Sequence, residues 1–331
     1  MSRGSSGFVV RRATALDLPA ILALGGRSLG WRDDDATAAH FAWKHSENPF
    51  GRSPMWVAEA DDRIVGFRTF LHWELSADGD VLRAVRAVDT ATDPGFQGRG
   101  IFTRLTLAAL DELRADGVDF VFNTPNDQSR PGYLKMGWTV VGRLPVGVRP
   151  TRLRGIPRML RARTPADRGA VPTDAGVPAA TVLADRTRVE ALLAAAPRPA
   201  GLATHRTPAY LAWRYGPPAL HYRVVAAPDG PEAGAVVFHL RRRGPALEAV
   251  VCEQLIPPGA PSVLGRLLTR VAGESGADYL LRLRAPGDRP ARQGFWPLPR
   301  VGPVLTAREV TRRPAPTLAG WALSLGDVEL F

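Results

Sequence analysis

The apolar residues of this chain follow two rhythms, short β-type runs and longer stretches with helical spacing. Residues 8–12 read as a short strand. Thr14-Ala15-Leu16-Asp17 is a capping-box pattern ahead of a helix over residues 18–29, with Pro19 tolerated in its first turn. A second helical run covers residues 36–44. Residues 55–59 and 64–75 are β-type runs, joined by Ala60-Asp61-Asp62-Arg63 as a hairpin turn. Residues 81–92 predict the next strand. Residues 99–115 predict a helix, because Ile101, Leu105, Ala108, Ala109 and Leu113 share one face. Residues 118–123 predict a short central strand, and 127–136 a helix containing Pro131 and ended by Gly137. Residues 138–148 predict a returning strand.

The second half repeats this order. Phe41-Ala42-Trp43-Lys44-His45 is echoed by Leu211-Ala212-Trp213-Arg214-Tyr215, and the hairpin of residues 57–67 by 224–237. The run at 82–87 is echoed at 247–252, with Gln254 opposite Asp89. Gly117 to Phe120 returns as Gly276 to Tyr279, and Gly137-Trp138 as Gly294-Phe295. Between the halves, residues 149–179 are rich in Arg and Pro, including Arg149, Arg152, Arg154, Arg158, Arg161, Arg163 and Arg168. They read as a linker, either solvated or contacting an anion.

Composition narrows the class. With 331 residues, two domains are expected. No apolar run has a membrane helix's length, and residues 1–7 lack the apolar core of a signal peptide. The expectation is a protein of the cytoplasm without a membrane partner. Cys252 is the single cysteine, so an internal disulfide and a cysteine zinc cage are excluded. Its valine neighbours suggest a buried, inert thiol. The histidines show no metal spacing, so no metal is expected. A net charge of +11 favours anionic partners. No basic strip interleaved with aromatics is present, which argues against nucleic acid. Trp43 and Trp213 recur in the repeat and read as packing residues.

The stretch from Asp93 to Phe102 carries the chemistry. It follows a predicted strand and opens a predicted helix, an arrangement that aims backbone N–H groups at a phosphate. Gly98 and Gly100 allow close backbone approach. The second half has Pro257-Pro258-Gly259-Ala260-Pro261 here, and prolines have no N–H to offer. Downstream lie Asn126 and, seven residues later, Tyr133 in Tyr133-Leu134-Lys135-Met136-Gly137-Trp138.

On these residues the chain resembles the GNAT superfamily of acetyl-CoA-dependent N-acetyltransferases, in full over residues 8–148. The family's pyrophosphate signature is met at Gln97 and Gly100, with Phe102 in place of its last small residue. The family's Asn, Tyr and Lys-x-Gly-aromatic pattern is met at Asn126, Tyr133, Lys135, Gly137 and Trp138. The resemblance implies an α/β (α+β) protein of two GNAT-like domains, each a mixed, mostly antiparallel twisted sheet flanked by helices. Residues 1–148 would be the acetyl-CoA-binding domain, 149–179 the linker, and 180–331 a degenerate copy.

It also implies site roles. Amides of Gln97, Gly98, Arg99, Gly100, Ile101 and Phe102 would hold the pyrophosphate, and the Phe102 side chain must point away. Thr90, Ala91 and Thr92 would meet the thioester carbonyl and pantetheine. Asn126 would orient the pantetheine arm, or cap the following helix. Tyr133 would protonate the leaving thiolate, or serve in packing. Asp89, a carboxylate in an apolar strand, is the first candidate for the base, with a structural hydrogen-bonding role as the other reading. His72 and Glu74 are candidates to line the acceptor pocket, and the chain's terminal carboxylate is a further base candidate. The implied function is acetyl transfer from acetyl-CoA to a primary amine of a small molecule, without a covalent intermediate. The alternatives are a non-catalytic acyl-CoA-responsive module and an aminoacyl-tRNA-dependent transferase. A homo-oligomer is compatible with all three.

Overall fold

A computed structural model describes residues 7–167, 169–196, 200–284, 293–311 and 315–328. The strands are β1 (Val9–Arg12), β2 (Met55–Ala60), β3 (Arg63–Ala77), β4 (Asp80–Thr92), β5 (Phe120–Asn123), β6 (Thr139–Arg143), β7 (Val146–Pro150), β8 (Val177–Pro178), β9 (Ala203–Thr204), β10 (Arg223–Ala227), β11 (Gly230–Arg243), β12 (Ala246–Leu255), β13 (Tyr279–Leu283), β14 (Trp296–Leu298) and β15 (Val304–Glu309). The helices are α1 (Leu18–Leu29), α2 (Asp35–Ser46), α3 (Ile101–Ala115), α4 (Arg130–Lys135), α5 (Ile156–Arg161), α6 (Ala179–Leu183), α7 (Arg186–Ala195), α8 (Pro208–Tyr215), α9 (Pro261–Glu274) and α10 (Leu325–Val328).

The local chemistry accounts for the first elements. The N–H of Thr14 donates to Oδ2 of Asp17 at 2.7 Å, ordering the turn that starts α1. Asp61 and Asp62 both take positive φ (51° and 56°), the backbone of a tight hairpin between β2 and β3.

The fold is mixed α/β, with two largely antiparallel sheets flanked by helices and no barrel. The first sheet runs β1-β2-β3-β4-β5-β15-β6, the second β14-β7-β13-β12-β11-β10-β8. In each, two antiparallel hairpin strands lead to one parallel pair: Ala84 lies opposite Phe120 in the first, Glu248 opposite Tyr279 in the second.

Two compact units result: Met1–Leu75, Val81–Val141 and Val304–Ala315 form one; Ser76–Asp80, Gly142–Pro303 and Pro316–Phe331 form the other. The strand expected over residues 138–148 is in fact two strands. It breaks at Leu144-Pro145, and β6 and β7 join different sheets. β7 pairs with β13 in the second sheet, while β15, late in the chain, takes the corresponding place beside β5 in the first. Each half has lent the other a strand. The boundary expected at residue 148 falls within β7, and residues 153–161, within the stretch read as a linker, form a 3-10 turn followed by α5.

In the first unit, one sheet face packs Trp56 and Phe70 against Ile101 and Leu105 of α3 and Tyr133 of α4. The other packs Val57, Phe67 and Ala91 against Ile21, Leu24 and Phe41 of α1 and α2. The second unit's core gathers Val236, Phe238, Leu267, Leu268 and Phe295.

Candidate functional site

The site begins where β4 and β5 part. They pair at Ala84, Val85 and Arg86 with Phe120, Val121 and Phe122, yet β4 continues to Thr92 while β5 ends at Asn123. The β5 side of residues 87–92 is thereby left without a strand partner among the described residues. On the β3 side, Thr69 Oγ1 donates to the carbonyls of Val88 (3.1 Å) and Asp89 (3.3 Å). Thr90 Oγ1 donates to Phe67 O at 3.0 Å, Ala91 is buried, and Thr92 O accepts from Ser28 Oγ at 3.3 Å.

β4 then feeds a turn shaped by Asp93. Its N–H donates to Val65 O at 2.8 Å, and its Oδ1 accepts from the N–H of Gly95 at 3.0 Å. Gly98 and Gly100 take φ of +74° and +76°, which only glycine adopts cheaply. A Cβ added at either would have nothing within 4 Å, so the space above the turn is open. The first α3 hydrogen bond runs from Arg104 N to Gly100 O at 3.0 Å. The amides of Ile101 and Phe102 therefore precede it, at the positive end of a long helix. Arg99 folds back, its guanidinium 4.7 Å from the Phe96 ring centroid and Nη2 donating to Gly95 O at 3.3 Å. Phe102 turns inward, its ring 5.4 Å from that of Tyr133. This meets the requirement that it point away from the turn's open side.

Asn126 is exposed at the start of the loop before α4. Its Oδ1 accepts from Ser129 N and Ser129 Oγ, both at 2.9 Å. The helix expected from residue 127 therefore starts later, at Arg130, after an Asn-capped turn. Tyr133 is buried on α4, its hydroxyl accepting from Arg68 Nη2 at 2.6 Å.

Asp89 belongs to the opposite side of the sheet. Its φ is +28°. One carboxylate oxygen, Oδ2, lies 2.7 Å from Lys44 Nζ and 2.9 Å from His45 Nε2. Burial alone would raise its pKa. The Lys44 charge and the His45 hydrogen bond outweigh burial and hold it well below the usual carboxylate range. Burial pushes His45 down, so its imidazole is neutral; Nε2–H then donates to Asp89 and Nδ1 accepts from Ser53 Oγ at 2.9 Å. The other oxygen of Asp89, Oδ1, has no partner among the described residues.

The structure thus gathers Phe102, Tyr133 and Arg68 on one face of the sheet and Asp89, His45 and Lys44 on the other, and Asp89 makes no hydrogen bond to Tyr133. His72 is half-buried, its backbone carbonyl accepting from Asn48 Nδ2 at 2.8 Å, and Glu74 is also half-buried. The terminal carboxylate of Phe331 and Arg168 lie outside the described residues. Sequence reasoning missed Arg68, Lys44 and His45. A charged residue within the apolar run of 64–75 was the signal for Arg68; the recurrence of Trp43-Lys44-His45 as Trp213-Arg214-Tyr215 was the signal for the others.

The second unit shows what a closed version looks like. Tyr215 Oη donates to Glu253 Oε1 at 2.8 Å, as His45 meets Asp89. By contact, Glu253 and not Gln254 is the counterpart of Asp89. The offset is already present in the parallel pairs, where Ala84 opposite Phe120 corresponds to Glu248 opposite Tyr279, which places 253 at the position of 89. Beyond the parallel pair, Arg282 Nη1 donates to Gln254 Oε1 at 2.6 Å, a bridge between β13 and β12 where the first unit has none among its described residues. Arg282 is buried, its guanidinium 4.3 Å from the Phe295 centroid. Among the described residues, no cluster of three or more His, Cys, Asp or Glu is placed to hold a metal ion.

A split parallel pair, a glycine turn with open space above it and a tyrosine near them make up the candidate site of the first unit. The comparisons with known proteins give the class. Residues 9–141 match the acetyltransferase (GNAT) domain family, so this part of the chain is a GNAT domain. The chain is similar in structure to a GCN5-related N-acetyltransferase from Kribbella flavida, with a TM-score of 0.61 and 17% identity over 93% of this chain and 72% of that one. A GCN5-related N-acetyltransferase from Anabaena variabilis gives 0.62 and 12% identity over 92% and 73%. Eis1 from Mycobacterium abscessus gives 0.56 and 16% identity over 92% and 74%. At these identities the likeness is one of fold. No curated protein matches the chain.

Proposed function

We propose that the chain transfers an acetyl group from acetyl-CoA to a primary amine of a small molecule, by direct attack. The observation that carries this reading is the opening between β4 and β5, which leads to a glycine turn with nothing above it. The amides of residues 97–102 hold the pyrophosphate, supported by the α3 dipole. The free backbone edge of Thr90, Ala91 and Thr92 meets the thioester carbonyl and pantetheine, and Asn126 offers its unengaged Nδ2 to the same arm.

The amine nitrogen attacks the thioester carbonyl, and the C–S bond breaks with its electron pair going to sulfur. Tyr133 supplies the proton that makes the thiol. Asp89 receives the amine through Oδ1. Because its carboxylate is held ionised by Lys44 and His45, it orients the amine and passes the released proton to water. The first unit, with β15 in its sheet, acts as the catalytic half. The second half is a degenerate copy, its own opening bridged by Arg282 and Gln254. No described helix is long and apolar enough to cross a membrane, and the reading places the reaction in the cytoplasm, where acetyl-CoA is made.

Calorimetric titration with acetyl-CoA tests the site. The wild type binds, and Gly100→Glu, which sets a carboxylate against the phosphates, binds at least about a hundredfold more weakly. Equal affinity in both overturns the assignment. A thiol-release screen across amino sugars, polyamines, amino acids and peptides then finds the acceptor. Binding without turnover on every amine would leave a non-catalytic acyl-CoA sensor as the function.

A further inference from the structure

Arg68 stands in the middle of β3 with no exposed surface. Its guanidinium carbon lies 5.0 Å from the Phe70 ring centroid, 5.2 Å from Tyr133 and 5.3 Å from Phe102. Nη2 donates to Tyr133 Oη at 2.6 Å. Nε and Nη1 are buried with no hydrogen-bond partner, and no carboxylate pairs with this cation among the described residues. A buried charge in that state is costly. Three aromatic faces offset part of the cost but supply no negative charge. An apolar residue would fill the same space more cheaply, so packing alone does not explain an arginine here.

We infer that Arg68 is a positioning residue for the proton transfer, an inference that rests on reading Tyr133 as the proton donor. The guanidinium N–H engages a lone pair of the phenol oxygen, which leaves the hydroxyl proton as the group Tyr133 has to give. When the C–S bond breaks, the electron pair goes to sulfur, the Tyr133 proton follows to form the thiol, and the phenol oxygen becomes anionic. Arg68 then has the counter-charge it lacks at rest, 2.6 Å from Nη2. The proton lost by the amine enters water, and water returns one to the phenolate, closing the balance. Arg68 is thus held uncompensated in the resting state and paired when charge develops.

The test is a double-mutant cycle in the full chain, read as kcat and KM for acetyl-CoA. Arg68→Met keeps the packing and removes the charge. It should lower kcat roughly a hundredfold with KM changed less than about twofold. In a Tyr133→Phe background the same change should cost no more than about twofold further. Arg68→Lys should recover part of the loss; if the Met variant does not fold, the Lys variant carries the same cycle. Equal losses in both backgrounds, or a loss confined to KM, would show Arg68 to be structural and overturn the inference while leaving Tyr133 as the donor. A Tyr133→Phe enzyme with full turnover would remove the donor reading and this inference with it.

Discussion

Lys44 Nζ and His45 Nε2 converge on a single oxygen of Asp89, at 2.7 and 2.9 Å, so the C-terminal end of α2 is pinned to β4 at one atom. The residue so pinned has a φ of +28°, a conformation a non-glycine residue holds only when its surroundings over-determine it. The second unit pins α8 to β12 through Tyr215 and Glu253 in the same way. The clamp is part of the scaffold in both halves, and in the first it also aims Asp89.

Removing the clamp's carboxylate should destabilise the protein. Asp89→Asn is expected to cost about 3 kcal/mol in urea unfolding at neutral pH, because a buried pair loses one member. The folded carboxylate's pKa lies below its unfolded value of about 3.9, so its contribution is present above that pH and fades as pH falls through the folded value. The difference between wild type and Asn should stay constant from roughly pH 5 upward and shrink below about pH 4. A difference that stays unchanged to strongly acid pH contradicts the ionised clamp.

His45 predicts a second pH dependence, at milder pH. Burial holds its pKa below the ordinary value of about 6.5, so the unfolded chain takes up the proton first. Stability from this group is complete above about pH 6.5 and declines as pH falls below it. His45→Gln should flatten the slope of unfolding midpoint against pH between roughly 5 and 7. Equal slopes in the two proteins would mean that folding leaves the His45 pKa unshifted.

Gly66 sets the distance between α3 and the sheet. A Cβ there would lie 2.6 Å from Cγ2 of Ile101, the first residue of α3. Gly66→Val should cost roughly 1–3 kcal/mol through overpacking and displace the helix start that carries the candidate amides. Acetyl-CoA affinity should fall alongside stability in calorimetry, although residue 66 is remote from the turn in sequence. Full affinity in a destabilised variant would separate the helix start from binding.

The two halves differ in what they can bind. With Arg282 and Gln254 bridging β13 and β12, and prolines at 257, 258 and 261, the second unit offers neither the opening nor the amides. Calorimetry should give one acetyl-CoA per chain. Two sites of similar affinity would show that the second copy is still active in binding.

Tyr133→Phe should lower kcat by roughly a hundredfold, within the range for a general acid, and leave KM for acetyl-CoA nearly unchanged. Stopped-time thiol release with an accepted amine reads both. A change confined to KM would assign Tyr133 to binding.

Most local elements were legible in the order of residues. The hairpin at Asp61-Asp62, the capping box at Thr14 and the glycine turn depend on neighbours in sequence, and the structure has them where local propensity puts them. α4 was misjudged at its start because Asn126 uses its side chain on Ser129 to form a turn in place of the first helical residues. The run at 138–148 was misjudged because periodicity says that residues are extended, not which sheet receives them.

The sequence by itself determined the alternation of elements, the repeated halves and the one phosphate-type turn, since each follows from backbone preferences and hydrophobic spacing over a few residues. Only the tertiary structure decided that β7 and β15 change places between the sheets, that Lys44 and His45 close on Asp89, and that Arg68 lies under the hydroxyl of Tyr133. Those pairings join residues far apart in the chain. They are selected by sheet closure and by the need to satisfy buried charge and backbone groups, which no local pattern encodes.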